Sequence, residues 1–287
     1  MIDRTASPIK KPRLSPETFR QLRDLINSKC GIFFGDNKRY LLESRLSRRL
    51  EERGLKSFEE YFYFLNYDKH KDRELSILLN SIVTNETSFF RDPAQLEAFA
   101  KGVVPLALEK KKNGFDRTLR VWSAASSTGE EPYTLAMMLI EAGLQRRGWR
   151  IEVTGSDISD NVLESAKRGI YEKYSLRNTP ENYLRKYFTN SGDHYTVKPD
   201  VRQVVRYRKI NLMDSAAMRT LRMIDIVFCR NVLIYFDDAS KKQVISNLYD
   251  SLVSGGYLFL GFSESLHGLT RLFKPVSFDR SVVYQKV

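Results

Sequence analysis

Apolar residues recur every three or four positions through the first third of the chain, the spacing of amphipathic helices. The recurring positions are Phe19, Leu22, Leu25, Ile26, Leu42, Leu46, Leu50, Phe58, Tyr61, Phe62, Leu65, Leu75, Leu78 and Leu79. Ser15 followed by Pro16 marks the start of the first helix, and Gly54 marks the end of the second. The pattern predicts a small all-helical domain over residues 17–80. Residues 1–16 hold three prolines and no such period, so we expect a flexible tail there.

After residue 115 the pattern changes to short apolar runs that alternate with helical segments, which is typical of a parallel sheet with helices on both faces. The candidate strands are 119–124, 150–156, 204–210, 224–229, 257–262 and 281–285. The candidate helices are 131–142, 161–167 and 238–252. The stretch over residues 171–203 is longer than an ordinary connection, so we expect a small inserted β-subdomain there. Residues 81–92 are predicted to link the helical domain to an α/β domain over residues 93–287.

Composition narrows the class of protein. The chain has 287 residues, 42% hydrophobic and 29% charged, which is enough apolar material for a globular core. No apolar run approaches the roughly 18 residues that a bilayer span needs, so we expect a cytoplasmic protein without direct membrane insertion. The two cysteines and three scattered histidines lack metal-ligand spacing, so we expect neither a disulfide nor a metal site.

The chain is strongly basic, since 47 Lys and Arg residues face 35 Asp and Glu residues and give a formal net charge of +12. We therefore expect a negatively charged partner. Charge alone does not distinguish among a nucleic acid, a membrane surface and an acidic protein.

Ligands of open α/β sheets bind at the carboxyl ends of the strands, so the segment after the first strand is a candidate site. This segment, residues 121–133, holds one glycine and the adjacent carboxylates Glu130 and Glu131. Carboxylates repel nucleotide phosphates and favour a cationic ligand such as S-adenosylmethionine. The alternative is that Thr128 and Glu131 form a capping box that only starts the next helix.

Two further strand ends carry polar side chains. Asp157 ends the second strand, where a carboxylate can accept hydrogen bonds from ribose hydroxyls, and Ser159 and Asp160 already supply the cap of the following helix. Asn211 is a candidate for binding an adenine edge or for forming a turn. Cys229 is expected to be a buried strand residue, because no base or acid lies in a pattern that would activate its thiol.

The segment before the α/β domain is more polar than a linker requires. Asp92 and Pro93 are predicted to start a helix, with Asp92 as its cap. Asn85, Thr87 and Arg91 have no such structural role, and a loop beside the sheet edge can cover a cofactor.

Four segments resemble the family of CheR-type chemoreceptor glutamate methyltransferases. They are Thr-Asn-Glu-Thr-Ser-Phe-Phe-Arg (84–91), Trp-Ser-Ala-Ala-Ser-Ser-Thr-Gly-Glu-Glu-Pro-Tyr (122–133), Gly-Ser-Asp-Ile (155–158) and Phe-Cys-Arg-Asn-Val-Leu-Ile-Tyr-Phe (228–236). The resemblance spans about residues 17–287. It implies a Rossmann-like α/β methyltransferase domain with a small inserted β-subdomain, preceded by an all-helical domain. It also implies S-adenosylmethionine as cofactor, S-adenosylhomocysteine as product, and methyl esters on receptor glutamates.

The resemblance implies roles for individual residues. Arg91 and Tyr235 are expected to act as catalytic residues that border the methyl group and the incoming carboxylate. The expected cofactor contacts are Asn85, Thr87, Arg91, Glu131, Asp157, Asn211, Leu212, Arg230 and Asn231.

Arg45, Arg49 and Arg53 stand at four-residue spacing on the second predicted helix. With the family resemblance, this stripe is a candidate docking surface for the cytoplasmic acidic helical region of chemoreceptors. The alternative is a solvated helix face. We expect a monomer that acts on receptors and not on nucleic acid. A nucleic-acid methyltransferase and a non-catalytic S-adenosylmethionine-sensing adaptor are the competing functions.

Overall fold

A computed structural model describes residues 12–287, and residues 1–11 of the predicted tail lie outside the described residues. The chain divides into two compact units, with the boundary between Val83 and Thr84. No helix among residues 12–287 is long and apolar enough to cross a membrane.

The described part of the first unit is helical. Its helices are α1 (Pro16–Cys30), α2 (Arg39–Arg53), α3 (Phe58–Tyr67) and α4 (Lys71–Ile82), with a 3-10 turn at Asp36–Lys38. The Ser15 hydroxyl caps α1 by accepting a hydrogen bond from the Thr18 N–H at 3.1 Å, and Gly31 ends the helix in the left-handed region. Helix α1 packs on α2 and α3, and α4 packs on the same two helices. The predicted stripe of leucines on α2 is fully buried.

The predicted flexible tail is wrong for its last residues. Leu14 is only 3% exposed, and its backbone N–H donates a hydrogen bond to the Glu43 carboxylate at 3.2 Å. Burying this leucine removes apolar surface from water, which holds the chain in place before α1 begins at Pro16.

The second unit is an α/β domain. Its helices are α5 (Pro93–Glu97), α6 (Val104–Lys111), α7 (Glu130–Glu141), α8 (Asp160–Arg168), α9 (Glu181–Tyr187), α10 (Pro199–Arg202), α11 (Ser215–Met218) and α12 (Asp238–Ser251). Its strands are β1 (Thr118–Ala124), β2 (Arg150–Asp157), β3 (Ile170–Glu172), β4 (Phe188–Ser191), β5 (His194–Val197), β6 (Val205–Lys209), β7 (Ile224–Cys229), β8 (Leu252–Leu260), β9 (Phe273–Phe278) and β10 (Ser281–Lys286). A π-helical turn at Ala98–Val103 joins α5 to α6.

The large sheet has the strand order β6-β2-β1-β7-β8-β10-β9. The first five strands in this order are parallel, as the sequence pattern predicted, but β10 runs antiparallel to both β8 and β9. The two residues between Phe278 and Ser281 account for the opposite directions of β9 and β10, because a loop that short can join only antiparallel strands. Asp279 in this turn adopts a φ of 46°.

The expected insertion is a three-stranded antiparallel sheet in the order β3-β5-β4. The ring of Phe89 packs edge-on against Tyr171 at 4.8 Å and against Phe188 at 5.0 Å between centroids. All three side chains are buried in the same hydrophobic core that covers the large sheet. The inserted sheet is therefore packed into the second unit.

Candidate active site

The site lies where β1, β2, β7 and β8 end. Ala124 pairs with Ser156 on one side and with Cys229 on the other, and Cys229 pairs in turn with Leu260. The residues that follow these positions therefore meet at one edge of the sheet, as expected for the ligand site of a parallel α/β sheet.

The loop after β1 has an unusual backbone. Ala125, Ser127 and Gly129 all adopt positive φ angles, of 59°, 49° and 96°. A Cβ on Gly129 would lie 2.5 Å from the Tyr207 hydroxyl and 2.8 Å from the Ala166 Cβ, so only glycine fits there. The Tyr171 hydroxyl donates to the Thr128 carbonyl at 2.7 Å and fixes the other side of the turn.

The start of α7 decides between the two interpretations of Glu131. Gly129 is the N-cap of α7, no side chain caps the helix, and the Thr128 hydroxyl donates to Glu130 at 2.7 Å. The Glu131 carboxylate instead accepts hydrogen bonds from the Ser123 hydroxyl at 2.7 Å and from the Arg230 guanidinium at 3.0 Å. Glu131 is therefore a member of the strand-end cluster and does not form a capping box.

Asp157 joins the loop after β1 to the end of β2. One carboxylate oxygen accepts the Ser127 N–H and the other accepts the Ser159 N–H, both at 3.0 Å. The side chain is buried, and burial raises the pKa of this carboxyl group. Each oxygen keeps an open lone pair, so the carboxylate can accept two further hydrogen bonds.

Arg230 follows β7 and connects three parts of the site. Besides Glu131, its guanidinium donates to the Arg91 carbonyl at 3.2 Å and lies 3.6 Å from the Asp92 carboxylate. The Arg230 side chain is only 4% exposed, and its buried Nε has no hydrogen-bond partner among the described residues. A buried donor of this kind requires an explanation, and a bound polar group would satisfy it.

Asp92 does not cap α5 with its side chain, contrary to the prediction. It adopts a φ of 64°, and its carboxylate faces Arg230 instead of the first helical N–H groups. Pro93 does start the helix.

The segment over residues 84–92 lies against the loop after β1. The Asn85 carbonyl accepts a hydrogen bond from the Ser127 hydroxyl at 3.1 Å, and the Phe90 N–H donates to the Thr134 hydroxyl at 3.2 Å. Arg91 is partly buried and its guanidinium donates to the Glu86 carbonyl at 3.2 Å. The Asn85 side chain is exposed and Thr87 is partly buried.

The remaining predicted residues lie after β6 and β7. The Asn211 side chain accepts the Met213 N–H at 3.0 Å, so it does form the turn considered above, and Leu212 is buried. Asn231 has a φ of 58°, and Tyr235 is partly buried in a 3-10 turn.

Cys229 is fully buried in β7, and burial raises the pKa of its thiol well above the usual value. This agrees with the expected structural role, since the nucleophilic form of cysteine is the thiolate.

The sequence interpretation missed Glu264, and it named Glu130 as a carboxylate beside Glu131 without predicting that Glu130 is buried. Glu264 lies in the loop after β8, and its carboxylate accepts hydrogen bonds from the backbone of the Arg230–Tyr235 loop. Glu130 is buried, which raises the pKa of its carboxyl group, and it accepts a hydrogen bond from Ser175 of the insertion at 3.1 Å. A polar residue after a strand end was the available signal for Glu264, whereas nothing local to residue 130 indicates its partner 45 positions away.

The predicted docking stripe belongs to the first unit, and most of its charge is engaged within that unit. Arg49 forms a two-pronged pair with the Glu74 carboxylate at 2.9 Å and 2.8 Å, and Arg53 donates to the same carboxylate at 2.6 Å. Glu74 is fully buried. Arg45 donates to the Ile82 carbonyl. Neither a simple solvated face nor a free cationic surface describes these arginines, because each holds α2 to α4.

The residues present fit S-adenosylmethionine on three observations. Position 129 in the loop after β1 admits only glycine, so no side chain fills the space there. Asp157 offers unused hydrogen-bond acceptors in a buried position. Arg230 Nε is a buried donor without a partner among the described residues. Glu131 adds a carboxylate to the cluster, and its pairing with Arg230 reduces the net field that a cationic ligand meets.

Comparison with known proteins supports the same assignment. The family model "CheR methyltransferase, all-alpha domain" matches residues 17–83, and "CheR methyltransferase, SAM binding domain" matches residues 85–282. Chemotaxis protein methyltransferase 2 of Vibrio cholerae is 37% identical over 269 residues, which cover 93% of this chain and 92% of the relative. Chemotaxis protein methyltransferase 1 of Pseudomonas aeruginosa is 36% identical, covering 93% and 97%. The Escherichia coli chemotaxis protein methyltransferase is 36% identical, covering 91% and 88%.

These matches confirm the fold class and the cofactor inferred from the sequence, and they assign S-adenosylmethionine binding to residues 85–282. The chain belongs to the CheR methyltransferase family.

Proposed function

We propose that the protein transfers the methyl group of S-adenosylmethionine to glutamate side chains in the acidic helical region of chemoreceptors, forming methyl esters. The similarity to chemotaxis protein methyltransferases over more than nine-tenths of the chain carries this proposal. The strand-end cluster of Asp157, Glu131 and Arg230 supports it, because these residues suit a cofactor that has hydroxyl, amino and carboxylate groups.

The proposed cofactor contacts are Asn85, Thr87, Arg91, Glu131, Asp157, Asn211, Leu212, Arg230 and Asn231. Asp157 accepts the ribose hydroxyls, and Arg230 donates its unused Nε–H to a ligand oxygen. Arg91 and Tyr235 are the proposed catalytic residues.

The chain needs no general base for this reaction. When bound, S-adenosylmethionine supplies an electrophilic methyl group on a sulfonium, and a glutamate with a reference pKa of about 4.3 is already ionised near neutral pH. Arg91 and Tyr235 orient the incoming carboxylate by hydrogen bonding. Positioning of this kind contributes several kcal/mol to catalysis.

The test uses S-adenosylmethionine with a labelled methyl group, incubated separately with receptor cytoplasmic fragments and with RNA. We expect label in the receptor, released as methanol in mild base because it is held as an ester. Base-stable label in RNA would instead establish a nucleic-acid methyltransferase. Cofactor binding without any transfer would establish a sensing adaptor.

Substitution of Tyr235→Phe tests the proposed catalytic role. Loss of one hydrogen bond to a charged group is expected to lower kcat by about 10- to 100-fold, with the cofactor Kd unchanged. Tyr174→Phe is the matched control, because Tyr174 is 66% exposed. A Tyr235→Phe enzyme with the wild-type kcat would contradict the assignment.

A further inference from the structure

Glu264 accepts an unusual number of backbone hydrogen bonds. One of its carboxylate oxygens accepts the N–H groups of Asn231 at 2.8 Å and Gly261 at 2.6 Å. The other accepts those of Val232 at 2.9 Å and Leu233 at 2.8 Å. The side chain thus binds the end of β7 to the end of β8 through main-chain donors alone.

Three of these donors belong to consecutive residues, Asn231, Val232 and Leu233. Asn231 has a φ of 58°, in the left-handed region, which turns its N–H toward the same point as the next two. Successive backbone N–H groups arranged in this way form a concave anion site. Here the protein fills that site with its own carboxylate.

The neighbouring glycine shows how closely the two loops fit. A Cβ on Gly261 would lie 2.6 Å from the Glu264 carboxylate and 2.9 Å from the Asn231 backbone nitrogen. Any side chain at position 261 would therefore push the carboxylate away from its donors.

The loop that Glu264 holds carries three of the proposed functional residues, Arg230, Asn231 and Tyr235. Beyond the three N–H groups bound by Glu264, the Tyr235 N–H donates to the Val232 carbonyl at 3.1 Å. A single hydrogen-bonded turn therefore connects Tyr235 to the backbone that Glu264 holds. Arg230, on the other side of Asn231, leads back to Glu131.

We propose that Glu264 is a positioning residue for methyl transfer, which sets the backbone of residues 230–235 so that Tyr235 and Arg230 meet the substrate and the cofactor. This inference rests on the proposed function. Glu264 itself touches neither reactant and acts through main-chain hydrogen bonds. A displacement of about 1 Å at a reacting centre can lower the rate by about 100-fold.

The first test is Glu264→Gln, which keeps the shape of the side chain but presents an amide NH2 to two of the backbone donors. We expect kcat, measured well below the melting temperature, to fall by about 10- to 100-fold while the KM for the receptor stays near the wild-type value. The melting temperature should also drop, because two backbone N–H groups then face an amide NH2. Glu97→Gln is the matched control, because Glu97 lies on the surface of α5 and pairs only with Lys101 among the described residues. A Glu264→Gln enzyme with the wild-type kcat would overturn the proposal.

The second test is chemical rescue of Glu264→Ala with formate, since the truncated variant keeps the concave anion site. We expect kcat to rise with formate concentration to a plateau, and chloride at the same ionic strength to have no such effect. If formate restored the melting temperature but not kcat, Glu264 would have only a stabilising role, and the proposal would be overturned. A wild-type protein that transfers no methyl group would instead contradict the proposed function.

Discussion

Asp157 carries an acidic group at a position that is 7% exposed, where the backbone N–H groups of Ser127, Ile158 and Ser159 stabilise its charge. Burial raises the pKa of this carboxyl group because the ionised form loses most of its hydration. If Asp157 binds the ribose as proposed, the hydroxyls donate hydrogen bonds to the ionised form and lower the pKa again in the complex. On that assignment, cofactor binding is linked to proton release from Asp157.

The sign of this linkage gives a pH prediction. Affinity for S-adenosylhomocysteine is complete above the raised pKa of free Asp157 and falls as the pH drops through it, by up to about tenfold per pH unit. Isothermal titration calorimetry from neutral to acidic pH measures this. Asp157→Asn should weaken binding at neutral pH by about 10- to 100-fold, because its amide NH2 faces a backbone N–H.

Asp160→Asn is the control for this experiment, since Asp160 is an exposed neighbour on α8. The buried Glu130 also has a raised pKa, so any pH dependence left in Asp157→Asn reports that residue. Identical pH profiles for wild type and Asp157→Asn would contradict the assignment of Asp157.

At the scale of elements, the pair of α2 and α4 illustrates how buried charge is used. Glu74 is fully buried on α4 and faces Arg49 and Arg53 of α2, while the Tyr61 hydroxyl of α3 donates to it at 2.9 Å. Removing one partner of a buried ion pair leaves an uncompensated charge, which costs more than the pair itself contributes.

Arg49→Ala is therefore expected to lower the free energy of unfolding by about 3 kcal/mol. The control Arg48→Ala, one position away, should change it by only about 0.5 kcal/mol, because the Arg48 side chain is 83% exposed and pairs with Glu52 at the surface. Denaturant unfolding of both variants measures the difference. Equal effects would show that the Glu74 cluster is not a stabilising unit.

This cluster also changes how receptor docking must be tested. Replacing Arg45, Arg49 and Arg53 together by alanine would disturb the contacts between α2 and α4. A higher KM in that variant would reflect lost docking and lost stability together. Docking by this face stays a prediction, and its test requires an arginine that does not hold α2 to α4, such as the exposed Arg48, which pairs with Glu52 at the surface.

Sequence patterns predicted the elements that depend on local spacing. The start of α1 after Ser15, the end of α2 at Gly54, the buried leucines of α2 and the strand-end position of Asp157 follow from residues close together in the chain. Pairings between residues far apart in the chain leave no local pattern from which they could be predicted. In the helical pattern Glu74 cannot be told from a surface acid. In the fold it is buried and pairs with Arg49, which lies 25 positions earlier in the chain.

The sequence interpretation predicted β10 as a strand but missed β9 and the antiparallel direction of β10. Phe273–Phe278 contains Pro275, which weakens a strand assignment, and β9 is tolerated because it lies at the edge of the sheet. The direction of β10 relative to β9 depends on the short turn after Phe278 and not on the apolar run itself.

For the whole molecule, the formal net charge of +12 is the property that acts at long range. An acidic partner is attracted before contact, and salt weakens that attraction since the Debye length is about 10 Å at 0.1 M. The proposed cofactor site, in contrast, includes the buried side chains of Asp157 and Arg230, which salt screens much less.

We therefore expect the KM for the receptor fragment to rise with sodium chloride concentration, while the Kd for S-adenosylhomocysteine stays constant. Initial rates at saturating cofactor and calorimetry over the same salt series measure the two quantities. A receptor KM that is independent of salt would contradict an electrostatic contribution to docking. A parallel change in both constants would indicate that salt perturbs the fold.

The three-stranded insertion is fastened to the rest of its unit by the Tyr171 hydroxyl on Thr128, by Ser175 on Glu130 and by the packing of Phe89. It cannot be treated as a detachable module. A chimera that takes this sheet from a relative must either keep residues 170–178 of this chain or take the loop after β1 from the same relative. Donor segments chosen only for their outer surface would yield enzymes with damaged cofactor binding.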